Sequence, residues 1–243
     1  MTLSVAASAA LFSGAALSAP IFDVFGPLPE ATFGGTGIPN DEVAVGSQFI
    51  DGDTTITVAL SATQRFFNPP LGNDGAGTYF AQAGSNFGGP GDPSLLEGSL
   101  WNFNYYMNVD DPSGTAKLTD YDITLYYDFD PVADNGLVGL GQIDVTAGLF
   151  AFDPAATTAQ GSENLLFGFL DTGVPGIVTP PLFPAFDPNA LGEYNFALAV
   201  ERTGFGVETV AMDVQVVPIP AAAVLFPSAL AWLGWARRRR PGS

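Results

Sequence analysis

Trp101-Asn102-Phe103-Asn104-Tyr105-Tyr106-Met107-Asn108-Val109 is the stretch that decides the fold. Trp101, Phe103, Tyr105, Met107 and Val109 alternate with Asn102, Asn104, Tyr106 and Asn108. A helix would scatter the two sets around its circumference, whereas a strand sends them to opposite faces. The segment therefore reads as a half-buried strand, with its apolar set in a core and Asn102 and Asn104 outward. A slip of one residue would turn it inside out, so the pattern also sets the register.

The same period recurs on either side. Ile56, Val58, Leu60 and Ala62 share it, as do Tyr121, Ile123, Leu125, Tyr127 and Phe129, with Asp122 outward. Tyr194, Phe196, Leu198 and Val200 follow, then Val210, Met212, Val214 and Val216. Residues 137–152 and 164–170 are further strand candidates with less regular alternation. Seven or eight strands between Gly, Pro and Asp turns predict an all-β domain. The expected form is an antiparallel β-sandwich of jelly-roll or Greek-key type. Trp101, Tyr105, Tyr127, Phe196, Leu198, Met212 and Val214 should share its core. Residues 71–93 are Gly-rich and residues 172–189 Pro-rich, so both read as long surface loops.

Composition removes several classes of function. The chain has 25 acidic residues against seven basic ones and a formal net charge of −18. No acidic residue lies beyond Asp213, and only Arg65, Lys117 and Arg202 are basic before the tail. Such a domain repels nucleic acid and anionic membrane surfaces, so nucleic acid is not an expected partner. With no cysteine there are no disulfides or thiolate sites, and with no histidine there is no Ser-His catalysis or His-bound metal.

What remains is carboxylate and hydroxyl chemistry. Lys117 beside Ser113-Gly114-Thr115 is the sole lysine for a Ser-Lys pair, and it reads more simply as a solvated turn residue. Phe169-Leu170-Asp171-Thr172-Gly173 is similar to the Asp-Thr-Gly loop of aspartic proteases, but no second copy is present and turn chemistry explains it. A carboxylate pair of glycosidase type is open to so many acids that none stands out. Asp128, Asp130 and Asp134 form the best metal candidate. Hard oxygens in turns suit Ca2+, although the spacing is not that of an EF-hand. Asp110-Asp111 and Asp120-Tyr121-Asp122 are further acidic groups of the same kind. All of them also read as a solvated acidic rim. No other cofactor is expected.

The C-terminus carries a separate message. Val217-Pro218-Ile219-Pro220-Ala221 leads into an apolar run, 221–236, and then Arg237, Arg238, Arg239 and Arg240. Sixteen helical residues span about 24 Å, short of a hydrocarbon core of about 30 Å. Pro227 further weakens the helix. Trp232 and Trp235 suit the interface, and the arginines hold the tail on the cytoplasmic side. The expectation is a single short hydrophobic helix that anchors the chain briefly in the inner membrane.

These residues resemble a PEP-CTERM sorting signal, in particular its Val-Pro-Leu-Pro-Ala variant, with Ile219 in place of Leu. The resemblance covers the tail alone. It implies recognition by an exosortase, a membrane cysteine transpeptidase-like enzyme of Gram-negative bacteria that make exopolysaccharide. Val217, Pro218, Pro220, Ala221 and Arg237 to Arg240 are the signal residues it implies. Pro241-Gly242-Ser243 extends past the point where such tails usually stop.

The N-terminus agrees with export. Residues 1–19 read as a signal peptide with an Ala-rich apolar helix and small residues at Ala16-Leu17-Ser18, although no basic residue precedes Arg65. The domain plan is a signal peptide at 1–19, an acidic ectodomain at 20–216 and a sorting tail at 217–243. The expected role is a non-enzymatic exported protein of the envelope or extracellular matrix. A second reading is an exopolysaccharide-binding sandwich, in which Tyr106 and Tyr126 would line one open sheet face and stack on sugars. A third is a carboxylate-based hydrolase.

Overall fold

The computed structural model describes residues 19–50, 52–66, 71–88, 96–133, 136–202 and 206–218. The signal helix expected within 1–19, all but its last residue, and the C-terminal helix expected at 221–236 lie outside them. Among the described residues no helix is long and apolar enough to cross a membrane.

The protein is mostly β. In chain order the strands are β1 (Val24–Gly26), β2 (Val43–Ile50), β3 (Thr54–Gln64), β4 (Gly72–Asn73), β5 (Thr78–Gln82), β6 (Ser85–Asn86) and β7 (Gly98–Ser99). There follow β8 (Trp101–Asp110), β9 (Asp122–Tyr127), β10 (Gly141–Asp144), β11 (Thr158–Glu163), β12 (Val178–Thr179), β13 (Gly192–Arg202) and β14 (Gly206–Val217). Two short helices, α1 (Val145–Phe152) and α2 (Gly168–Thr172), fill out the chain. One sheet has the order β1-β2-β3-β8-β11, and a larger one runs β12-β10-β9-β13-β14-β5-β4. Pairing is antiparallel except between β14 and β5, which run parallel.

The apolar faces of the two sheets meet in one core. It takes Ile56, Val58, Leu60, Trp101, Phe103 and Met107 from the first sheet. The second supplies Leu125, Tyr127, Phe196, Leu198, Met212 and Val214. Phe103 stacks on Phe196 with ring centroids 4.8 Å apart, and Trp101 meets Phe196 edge-on at 6.0 Å. Alternation thus puts the expected set inside, with Tyr105 at its margin and only partly buried. Two strands, β10 and the edge strand β11, carry glycines opposite tyrosines: Gly141 pairs with Tyr127 and Gly161 with Tyr105. A Cβ at either glycine would collide with the ring lying over it. The rings take the place of the missing side chains.

Several expectations are corrected. Asn104 points away from the core as expected, but it is fully buried rather than solvated. Its Nδ2 donates to Ser61 Oγ at 3.1 Å and Thr63 Oγ1 at 3.2 Å, while its Oδ1 is buried with no hydrogen-bond partner among the described residues. Residues 71–93 are not a plain loop, since β4, β5 and β6 lie there and Tyr79 and Ala81 enter the core. Residues 137–152 form a strand only over β10 and then turn into α1, because Asp144 caps the helix by accepting from Ala147 N at 2.8 Å. Residues 164–170 are a turn followed by α2 rather than a strand. Asp171-Thr172-Gly173 ends that helix, with Gly173 at φ 77°, instead of ending a strand.

Candidate functional site

Part of the outer face of each sheet is covered, and this decides what Tyr106 and Tyr126 can bind. A strap over residues 28–40 lays Leu28, Ala31 and Phe33 on Tyr106 and Ala59 of the first sheet. Thr32 N and Phe33 N both donate to Gln160 Oε1, at 2.8 and 2.7 Å, which ties the strap to edge strand β11. On the second sheet Leu140, with Leu137 and Phe183, lies over Tyr126, Ala197 and Ala199. Tyr106 is 4% exposed and Tyr126 6%. The two sit on outer faces of different sheets, so the stacking platform expected of them is not formed.

The acidic groups fall into two places. At one end of the sandwich Asp53, Asp111, Asp120 and Arg202 line an open cleft of about 550 Å³. Asp111 organises its loop. Its carboxylate accepts from Ser113 Oγ at 2.7 Å and from Thr115 N and Ala116 N, both at 2.8 Å. The Ser113 hydroxyl, then the Ala116 and Ser113 backbone N–H groups, hold its carboxyl well below the usual carboxylate range. Such a carboxylate is committed to the loop, and Ser113 donates to it instead of being activated as a nucleophile. Lys117 is occupied as well, with Nζ donating to Gly114 O at 3.2 Å.

The second place is the outer face of the larger sheet. Asp128 is fully buried just beyond β9, where its carboxylate accepts from Asp130 N at 2.8 Å and Asn195 N at 3.4 Å. Asp130 is half-buried beside it, and its Oδ1 accepts from Val132 N at 3.3 Å. Asp134, the third residue of the expected calcium set, lies outside the described residues. Sequence reasoning missed Asn195 and Asp213, which lie buried on this same face. Their only signal is that both are polar at outward positions of otherwise apolar strands. Among the described residues no three acidic side chains gather closely enough to form a metal-ligand set by themselves.

A titrating group sits at the open edge between the sheets. Alternation along β11 turns Glu163 to the core side, where burial pushes its carboxyl up to about 7. The Tyr105 phenol is pushed up to about 12, by burial first and then by Glu163. A carboxyl with a raised folded pKa favours the native state when protonated. That contribution is complete below its unfolded pKa and is lost as pH rises through about 7. Glu163→Gln should therefore flatten the fall in stability between about pH 4.5 and 7. At pH 8 it should stabilise by about 2 kcal/mol after allowing for solvent screening. Paired urea titrations of both proteins at pH 5 and pH 8 check this, and equal differences at the two pH values would refute it.

Two of the residues expected to form the sorting signal are described. Val217 is the last residue of β14, half-buried, and Pro218 follows it exposed. Pro220, Ala221, Arg237, Arg238, Arg239 and Arg240 lie outside the described residues. Comparison of the chain with family models, with curated proteins and with solved structures finds no match.

Proposed function

We propose that this chain is an exported, non-enzymatic protein of the bacterial envelope or extracellular matrix. It is held briefly in the inner membrane by its tail and released by an exosortase. The observation that carries the reading is the order of parts in the tail: signature from Val217 to Ala221, apolar run over 221–236, arginines from Arg237 to Arg240. The end of β14 at Val217 supports it, because the folded strand stops where the signature begins and leaves Pro218 exposed to a processing enzyme. The absence of histidine and cysteine from the sequence favours a binding or structural role. We place the ectodomain among sandwiches of jelly-roll or Greek-key type, since the chain changes sheet after β3, β5, β7, β8, β10 and β11, with β6 and β7 forming a separate pair.

Processing tests the proposal. Mass spectrometry of the extracellular protein from its native host should show a chain ending near Pro220 without the four arginines. Replacing Pro218 and Pro220 with Ala should leave an uncut precursor in the membrane fraction. Replacing the arginines with Ser should instead let uncut chain escape, because retention depends on positive charge beside the span. Extracellular protein that keeps its arginines in the unaltered host would sink the proposal.

A further inference from the structure

The two lateral sides of the sandwich differ. One is closed by the chain itself: Ile21 bridges to Ala211 of the larger sheet, and β1 just after it pairs with β2 of the first sheet. The other side lies between β11, the last strand of the first sheet, and β10, which only the two-residue β12 follows outward. There α1 borders a pocket of about 210 Å³. Leu125 and Ile143 of the larger sheet, Leu149 of α1, Ala159 of β11 and Ile177 give it apolar walls.

The helix beside this pocket is unusual for a surface element. It reads Val-Thr-Ala-Gly-Leu-Phe-Ala-Phe, with no charged residue. Phe152, which lines the pocket, is 84% exposed, and Phe150 is 62% exposed. A surface helix normally turns a charged face to water. Apolar surface left open beside an apolar pocket is the mark of a ligand site. A cavity of about 150 Å³ with walls of this kind takes up a benzene ring. This one therefore has room for a ring or a short chain with a small head. The polar residues of its lining are Tyr105, Asp144 and Asp153, and none is basic.

We propose that this pocket binds a small hydrophobic ammonium compound. Its ring or short alkyl chain enters between the edges of the sheets, and its charged nitrogen stays at the mouth against Asp144 or Asp153. The two carboxylates stand at the two ends of α1. Asp144 Oδ1 accepts from Ala147 N at 2.8 Å and Asp153 Oδ1 from Ala155 N at 3.3 Å. Neither is paired with a basic side chain among the described residues, and a carboxylate accepts at about four sites, so both keep capacity for a cation. Before the tail the chain has only Arg65, Lys117 and Arg202 as basic residues, so its field gathers cations and repels anions. Burial of the apolar part supplies affinity, and the carboxylates select the sign of charge. The site belongs to the ectodomain and is separate from the processing of the tail.

The test titrates the full chain with 2-phenylethylamine, 2-phenylethanol and phenylacetate, which are alike in size and differ in charge, and follows amide chemical shifts. The amine should bind with a dissociation constant of about 1 mM or tighter, the alcohol about fivefold more weakly, and phenylacetate not measurably. The shifted amides should fall in residues 143–153 and at Ala159. Added salt should weaken the amine and spare the alcohol. Asp144→Ser keeps a capping oxygen for α1 while removing the charge. Combined with Asp153→Asn, it should bring the amine down about fivefold, to the level of the alcohol. Gly148→Leu should fill the pocket and abolish binding of both. It should not lower the thermal midpoint, since a Cβ there meets only Ile177, at 3.7 Å, and glycine weakens a helix. Gly148→Ala should weaken both ligands severalfold, a readout that survives if the Leu variant fails to fold. No binding of the amine, equal binding of phenylethanol or phenylacetate, shifts that map elsewhere, or unchanged binding in the Gly148 variants would each overturn the proposal.

Discussion

Asn164→Ala destabilises the domain by about 4 kcal/mol, because it orphans several backbone groups at once, each worth about 1–3 kcal/mol when buried and unpaired. Asn164 is fully buried in the turn after β11. Its Oδ1 accepts from Ser99 N at 2.9 Å and Leu166 N at 3.2 Å. Its Nδ2 reaches Ser99 O at 3.1 Å, Trp101 O at 2.9 Å and Asn102 Oδ1 at 2.7 Å, three acceptors for two hydrogens. One side chain thus ties the entry of β8 to the turn after β11. Asn164→Asp keeps the shape but turns the donor end into a charged acceptor facing three acceptors, so it should be at least as damaging. Urea unfolding monitored by tryptophan fluorescence measures both. A loss under 1 kcal/mol in either variant would mean that the turn repacks around the gap.

The same residue shows where the sequence stops being legible. Alternation identified β3, β8, β9, β13 and β14, because each presents a clean apolar face over many residues. Asn164 came first in a run read as a strand, yet its side chain does the work of a backbone partner and ends β11. Such a role depends on residues 62 to 65 positions away, which no local pattern carries. β5 was hidden for a related reason. Its main partner is β14, which joins it in parallel from the far end of the chain, while the adjacent β4 pairs with it over only two residues. Its Tyr79 and Ala81 lie in a Gly-rich segment too short to show a period.

The candidate sites divide along the same line. Asp128 and Asp130 were found because carboxylates cluster in sequence. Asn195 and Asp213 were not, since alternation assigns polar residues at such positions to water. Parts of the outer faces are not in water here: the 28–40 strap and Leu140 fold back over them. This is also why Tyr106 and Tyr126 offer no platform for a sugar. A sheet face reads as solvated until a distant loop covers it, and only the assembled chain shows that loop.

Trp101→Ala should cost about 4 kcal/mol, within the 3–5 kcal/mol of large aromatic truncations in cores. Trp101 is 1% exposed and touches Phe186, Tyr194 and Phe196, with ring centroids about 6 Å away in tilted or edge-on geometry. Removing it takes the shared member from an aromatic cluster that joins the two sheets and leaves a cavity that fixed strands cannot close. Trp101→Phe separates packing from polarity. The indole Nε1 is buried with no hydrogen-bond partner among the described residues, a cost the folded state already carries. Phenylalanine loses volume but removes that donor, and the two changes oppose each other. The expected net loss is therefore about 1 kcal/mol, far below the Ala variant. Thermal unfolding followed by circular dichroism, at matched protein concentration, gives both numbers. If Trp101→Phe proves as damaging as Trp101→Ala, the indole nitrogen has a partner in solution and the core around it is wetter than its packing indicates.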